Sequence, residues 1–517
     1  MYAPSRVAAI LKDGQAANRS RQANGRLQVI LYMILLAAHL AVVWLLPFFP
    51  TQDGPSHVYN LVVYRDLLHG KGAWDRFYVL NERSISNQGF FLIAYPLLSV
   101  LTPGAAERAF LSLYVLLLGA GVPLFLRTFG RPALPASFFL FVVVFNRPLL
   151  TGFYSNSIGV PLLLLAIAAV WKTRGRSWVL RFPVINAAGF LLFAAHPLPF
   201  GIFLLAIALL AAVEAGDWRS RLGRLIWLAF IASPCLSLLA CLLARGSAQP
   251  MERGVLSWWQ MFLELAFFSG ASFSPVQLVP GLAALLLFLA GAARGVRRLW
   301  APGEHRFTAA FCGALLVIYF VAPDWLLGGG FFKMRLPPLI LLLALPLLET
   351  ATARLSGRHY AQLAVLIAVL ALVVNIAVLR EQSLQVSRFV CGLGLRAELP
   401  AGATFLTARF DQIPGWPPDS LLHVSSYYGL RGAIDLGNYA GSPSYWPYSQ
   451  VRFREAFSRV VAGQAYAHPR AMDWSRYPQV QYLLCWKATE EDRTRLAVDF
   501  SLYWEEGGCP LTIWRKK

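Results

Sequence analysis

Apolar runs long enough to cross a hydrocarbon layer of ~30 Å recur along most of this chain, and a soluble core has no place for them. They lie near 27–49, 108–126, 134–150, 157–171, 182–196, 199–213, 225–244, 275–292, 307–322, 337–351 and 360–379, eleven intervals in all. In lipid the backbone must satisfy its own hydrogen bonds, so runs of this length and composition read as helices. The balance of 57% hydrophobic and 14% charged residues agrees. The stretch 89–101 is shorter and bounded by prolines. It reads as a re-entrant or interfacial helix, with a twelfth span as the alternative.

Charge sets the expected orientation, because cytoplasmic loops are enriched in Lys and Arg. With the N-terminus inside, the inner segments are 1–26, 127–133, 172–181, 214–224, 293–306 and 352–359. They hold 20 of the 46 basic residues and, with Glu349 at their edge, 5 of the 26 acidic ones. The loops of the other side hold 9 basic and 8 acidic residues before position 380, so the contrast favours N-in and C-out. Much of the net charge of +20 is therefore topological. It calls for anionic membrane lipids as partners and not for nucleic acid. Residues 1–26 form a basic cytoplasmic tail. They are too long, and the first apolar run too extended, for a cleaved signal peptide.

Beyond 379 the composition becomes that of a soluble domain. Residues 380–517 are expected to form a small α/β unit outside the cytoplasm, with strands at 404–408, 421–428, 480–486 and 500–504 and a helix at 449–462. Cys391, Cys485 and Cys509 fall in this unit, an odd number that allows one internal pair. Cys485–Cys509 is the expected bridge, while Cys235, Cys241 and Cys312 read as packing residues in or near spans. No Cys or His spacing resembles a zinc site.

Candidate chemistry lies in the loops on the C-terminal side. The first, 50–107, opens with Thr51-Gln52-Asp53-Gly54-Pro55-Ser56-His57 just beyond the first span. Asp53 is an acid at the mouth of a span. Asp-Gly-Pro is also turn chemistry, so helix capping is the competing reading. Val58, Leu61, Val62, Leu67 and Leu68 follow at helical spacing, as in an amphipathic helix on the membrane surface or a structural collar. Arg83 lies further along. A loop of this length is usually functional or disordered, and the aromatic and apolar residues of 89–101 argue against disorder. A second feature is Gly328-Gly329-Gly330-Phe331-Phe332-Lys333-Met334-Arg335. Two cations on the side where cations are scarce would attract a lipid phosphate, which Arg can grip with two donors. Snorkelling at a helix end is the alternative. Trp258-Trp259 and Glu264 form a third candidate, although an interfacial aromatic belt is the stronger reading there.

An acid just past the first span, a long first loop with surface helices, about eleven spans and a C-terminal outer domain together resemble the GT-C superfamily of membrane glycosyltransferases. The likeness is to bacterial members of the protein mannosyltransferase and aminoarabinose transferase type, including the RgtA/B/C/D-like domain. It covers most of 27–379 and rests on architecture, Asp53 and the Lys333–Arg335 segment. The resemblance implies an enzyme of the bacterial inner membrane. It would move a sugar, with inversion, from a polyprenyl phosphate to a glycan, lipid or protein acceptor of the envelope. Asp53 would be its general base or acceptor-orienting carboxylate. Lys333, Arg335 and Arg83 would bind the donor phosphate, and His57, Glu264 and Trp258 would contact substrate.

The sequence departs from that pattern in two ways. Many relatives carry two adjacent acids in the first loop, but Gly54 follows Asp53 here, and the loop 146–156 carries no acid. No cofactor is called for. A divalent metal stays open, without a recognisable ligand set. The rival readings are a lipid or glycan transporter, against which the scarcity of ionisable residues within the spans argues, and a non-catalytic scaffold displaying its outer domain.

Overall fold

A computed structural model describes residues 5–517 except 83, 85, 132, 214–217, 246–256, 269–272, 296–303, 326–329, 349–356, 394–396, 412–417, 442–448, 455–456 and 458–468. Each of the eleven expected intervals is helical over most of its described residues. Seven stretches are long and apolar enough to cross a membrane: Gly25–Leu45 at the end of α1 (Ser5–Leu45), α4 (Pro103–Thr128), Ala133–Thr151, α8 (Tyr154–Thr173), α9 (Trp178–Ala195), Pro275–Ala293 and α17 (Gly357–Phe389). An eighth is formed if α11 (Trp218–Ile231) and α12 (Ser233–Arg245), bent by 76° where Ser233-Pro234 interrupts the run, count as one span. The remaining three intervals are the shorter helices α10 (Pro197–Val213), α15 (Glu304–Val321) and α16 (Leu336–Ala344). The stretch at 89–101 yields only α3 (Gly89–Leu97), nine residues long. At 1.5 Å per residue that is about 14 Å, half of a crossing.

The interval 133–151 is broken into α5 (Ala133–Ser137), α6 (Leu140–Val143) and α7 (Arg147–Thr151). Asn146 accounts for the second break. Its side chain accepts from Leu149 N at 3.0 Å and donates to Val143 O at 2.8 Å, closing one helix and capping the next. Pro148 suits the first turn of α7 because no amide hydrogen is needed there.

A small sheet unit follows α17, which ends at Phe389. Its sheet has the order β3-β2-β5-β7-β6, comprising β2 (Thr404–Arg409), β3 (Ile434–Asp435), β5 (Tyr482–Trp486), β6 (Phe500–Trp504) and β7 (Leu511–Lys516). β2 pairs in parallel with β3 and β5, and β7 runs antiparallel to β5 and β6. The strand expected at 421–428 is instead a 3-10 turn, Val424–Gly429. All six of its residues are buried, so no two-residue alternation governs it. The helix expected at 449–462 is also corrected over its described part. Val451–Phe453 is strand β4, paired antiparallel with β1 (Tyr78–Leu80) of the first loop.

The disulfide joins Cys391 to Cys509, with Cα atoms 6.4 Å apart, and not Cys485 to Cys509. Cys485 lies inside β5 between Ala408 and Thr512, and its side chain packs in the sheet core. Cys509 sits in the turn before β7, facing the end of α17.

α2 (Gly54–Leu68) is not a surface helix. Val58 and Leu61 belong to the core of the helical region, while Tyr59, Val62 and Val63 join the core beneath the sheet. The helix is apolar on two adjoining faces because two cores close on it. It is a collar between the membrane helices and the soluble unit, which places the preceding turn at their junction.

Candidate active site

Residues 51–53 are strapped to the end of α7. Gln52 N donates to Leu150 O at 2.9 Å and Asp53 N to Thr151 O at 3.1 Å. The chain then turns at Gly152, with φ of 95°. A Cβ there would lie 2.7 Å from the Cβ of Asp53, so only glycine permits both this backbone and this approach. Beneath the turn, Tyr154 donates to Glu107 Oε1 at 2.5 Å, and Thr51 Oγ1 lies 2.8 Å from Tyr154 Oη. A Cβ on Gly54 would fall 2.6 Å from Glu107 Oε1. Glu107, at the start of α4, thus packs a second buried acid where the sequence shows only glycine beside Asp53.

Asp53 occupies the N-cap position of α2 but makes no side-chain cap bond. Its carboxylate instead accepts from Gln52 Nε2 at 3.1 Å and from Tyr439, and His423 Nε2 stands 3.6 Å away. Gln52 is fixed in turn by Asp419 N, 3.0 Å from its Oε1. Burial pushes the Asp53 carboxyl up to about 7, against the opposing pull of the Gln52 and Tyr439 bonds and the Arg335 charge.

One turn along α2, His57 Nε2 lies 2.9 Å from Gly152 O. The carbonyl can only accept, so Nε2 carries the hydrogen and Nδ1 holds a lone pair. Burial lowers the His57 pKa to about 4, which keeps the ring neutral near pH 7. His423 is lowered to about 3, chiefly by burial and further by His57.

Arg335 ends the 3-10 turn before α16, with its guanidinium 4.0 Å above the Phe153 ring. Its Nη1 is 3.0 Å from His196 Nε2. His196 Nδ1 accepts from Leu198 N at 3.0 Å, so a neutral ring carries its hydrogen on Nε2. Two donors therefore face each other, an arrangement that an anion accepting from both would relieve.

Asp53, His57, His196, Arg335 and Tyr439 line one cavity of about 450 Å³. Its other arm is apolar, walled by Leu198, Ile202 and Leu205 of α10, Leu239 and Leu242 of α12, and Leu315 and Ile318 of α15. Of the residues expected from sequence, Asp53, His57 and Arg335 are brought together. Lys333 is outside the lining, its Nζ 3.5 Å from Met261 Sδ and its backbone N bonded to Asp324. Glu264 is held in a buried ion pair with Arg147. Trp258 is 72% exposed and stacks on Phe320. Neither reaches the cavity, and Arg83 lies outside the described residues. Gln52, Glu107, His196, His423 and Tyr439 were not expected as site residues; that the span expected at 182–196 ends on a histidine followed by proline is the one available signal. Among the described residues no group of three or more His, Cys, Asp or Glu side chains is arranged to hold a metal.

Two solved structures share this fold. ArnT from Cupriavidus metallidurans in the apo state superposes with a TM-score of 0.55 at 11% identity, covering 96% of this chain and 98% of that one. ArnT from the same organism bound to undecaprenyl phosphate gives 0.53 at 11% identity, covering 94% and 97%. No family model matches the chain, and no curated protein does.

Proposed function

We propose that this protein is a multi-pass membrane glycosyltransferase that uses a polyprenyl-phosphate sugar. The observation that carries the reading is the cavity itself. A buried carboxylate, Asp53, and a donor pair, Arg335 with His196, sit at the polar end of an arm walled by apolar helices. A lipid-linked phosphate has the matching shape and polarity. The likeness to ArnT, one structure of which holds undecaprenyl phosphate, supports the same donor class.

In this reading the lipid chain lies along α10, α12 and α15, and its phosphate meets Arg335 and the Nε2 hydrogen of His196. Asp53 accepts the proton of the acceptor hydroxyl. The freed oxygen pair forms the new bond to the anomeric carbon as the bond from that carbon to the phosphate oxygen breaks. The polyprenyl phosphate leaves with that electron pair, its charge held by the two donors. Attack opposite the leaving group inverts the anomeric centre. A carboxyl near 7 suits the task, because a general base works best with a pKa close to the ambient pH. The soluble unit contributes Tyr439, Ser449 and Gln450 to the cavity. With the basic loops inside, that unit faces the envelope space, and the acceptor is an envelope glycan, lipid or protein.

The test is mass spectrometry of envelope glycans and lipid-linked sugars from cells with and without the gene. Loss of one glycan with accumulation of its lipid-linked donor is the expected result. Donor accumulating only on the cytoplasmic face would mark a flippase and overturn the assignment.

A further inference from the structure

The polar end of the cavity carries a recognition surface that the phosphate and the acceptor leave unused. Asn156, in the first turn of α8, lines the cavity and is only 3% exposed. Its side chain has no hydrogen-bond partner among the described residues. Its amide atoms are not sealed from the cavity, so their hydrogen bonds are completed by whatever fills it. His57 adds a second open group, since its Nδ1 lone pair is uncommitted once Nε2 bonds Gly152 O. Asn87 stands on the same wall with φ of 64°, a left-handed backbone tolerated by Asn but seldom adopted without cause. The Asn87 carbonyl is pinned by Ser155 Oγ at 3.1 Å and Gln450 Nε2 at 3.3 Å. One wall is thus assembled from the first loop, α8 and the soluble unit.

That wall is uncharged. Among the described residues lining the cavity, only Asp53 and Arg335 are charged. The reading above assigns the first to the acceptor proton and the second to the phosphate. Among these described residues no further carboxylate is left to pair with an ammonium on the sugar, and no further guanidinium to pair with a sugar carboxylate. Amides and a neutral imidazole offer both donors and acceptors, which is what ring hydroxyls require.

We propose, resting on the glycosyltransferase reading, that the transferred sugar is uncharged and that Asn156, with His57, reads its hydroxyl groups. The site would then discriminate against donors whose sugar bears an ammonium or a carboxylate.

The test uses the full-length protein in phosphatidylcholine nanodiscs. Its probes are polyprenyl phosphate alone and the same carrier linked to each of three neutral hexoses (glucose, mannose and galactose) and to their amino-sugar and uronic-acid counterparts. At least one neutral member should bind about tenfold or more tighter than every charged one. Asn156→Ala should reduce that preference severalfold, the effect of one lost hydrogen bond, without changing the affinity of the bare carrier. Asn156→Asp should shift preference toward the amino sugars, and unchanged binding of the bare carrier confirms that both variants are folded. A charged member outranking all neutral ones, or a preference untouched by Asn156→Ala, would overturn the inference while leaving the glycosyltransferase reading intact. Failure of every carrier to bind would sink both.

Discussion

Replacing Asp53 by Asn separates a catalytic carboxylate from a structural one. The substitution keeps the shape of the side chain and removes its charge and its capacity to take a proton. If Asp53 is the base, turnover should fall by roughly 10²–10⁴-fold. Stability should move the other way. The carboxyl is raised from 3.8 to about 7, so the folded chain holds this proton more tightly than the unfolded one. By linkage, stability is then lost as pH rises from about 4 through about 7, and the loss levels off above that. At 1.36 kcal/mol per pKa unit, a rise of about three units is worth on the order of 4 kcal/mol. Asp53→Asn should recover up to that amount above pH 7 and almost none near pH 4. The assays are transfer from a lipid-linked sugar and thermal unfolding in detergent at pH 5 and pH 8. The expected variant is inactive and, relative to wild type, more stable at pH 8 than at pH 5. Wild-type activity should itself rise along an acidic limb centred near pH 7. An Asp53→Asn protein that turns over normally would refute the role. One that loses activity and stability together at both pH values would reduce Asp53 to a structural residue.

Three further outcomes follow from the geometry. Arg335→Ala should weaken binding of polyprenyl phosphate, and Arg335→Lys should restore only part of it, because an ammonium lacks the planar fork and the stacking on Phe153; equal affinity in all three proteins would remove Arg335 from the site. Gly152→Ala should lower the unfolding temperature and impair transfer together, since the φ of 95° and the 2.7 Å approach to Asp53 both exclude a methyl group; an unaffected variant would show that the strap between residues 52–53 and α7 is dispensable. A reporter active only after export, fused beyond Lys517, should be active; activity solely from a cytoplasm-dependent reporter would reverse the proposed orientation.

The membrane helices are legible in the sequence because hydrocarbon thickness imposes a length that few other structures need. What escapes is where a run breaks. The interval 225–244 reads as one span, yet its helices meet at 76°, and Ser233-Pro234 is the signal in hindsight. α2 misleads for a related reason. Val58, Leu61 and Val62 recur at helical spacing as on any amphipathic helix. Only the arrival of a second core, through Tyr59 and Val63, distinguishes a collar from a surface helix. The disulfide fails in the same way, because strand interior and turn are indistinguishable until the register of β5 and β7 is known.

The candidate site divides along the same line. Asp53 and Arg335 stand out because each is an ion beside a long apolar run, where a charge without a partner is unfavourable. Their partners carry no such mark. Tyr439 and His423 reach Asp53 from more than 360 residues away, and nothing in their own surroundings in the chain sets them apart. Glu107 reads as an ordinary acid at a helix start, yet it packs against Gly54, in the place where the resemblance leads one to look for an adjacent second acid. Local sequence thus exposes the groups that are expensive to place. The neutral groups that hold them and line the rest of the cavity become visible only when the first loop, α8 and the C-terminal sheet unit close on one another. The uncharged lining of a site is therefore less legible than its charged groups. A buried charge constrains the chemistry of its neighbours from within a few residues, whereas an amide such as Asn156 acquires meaning only from the cavity it faces.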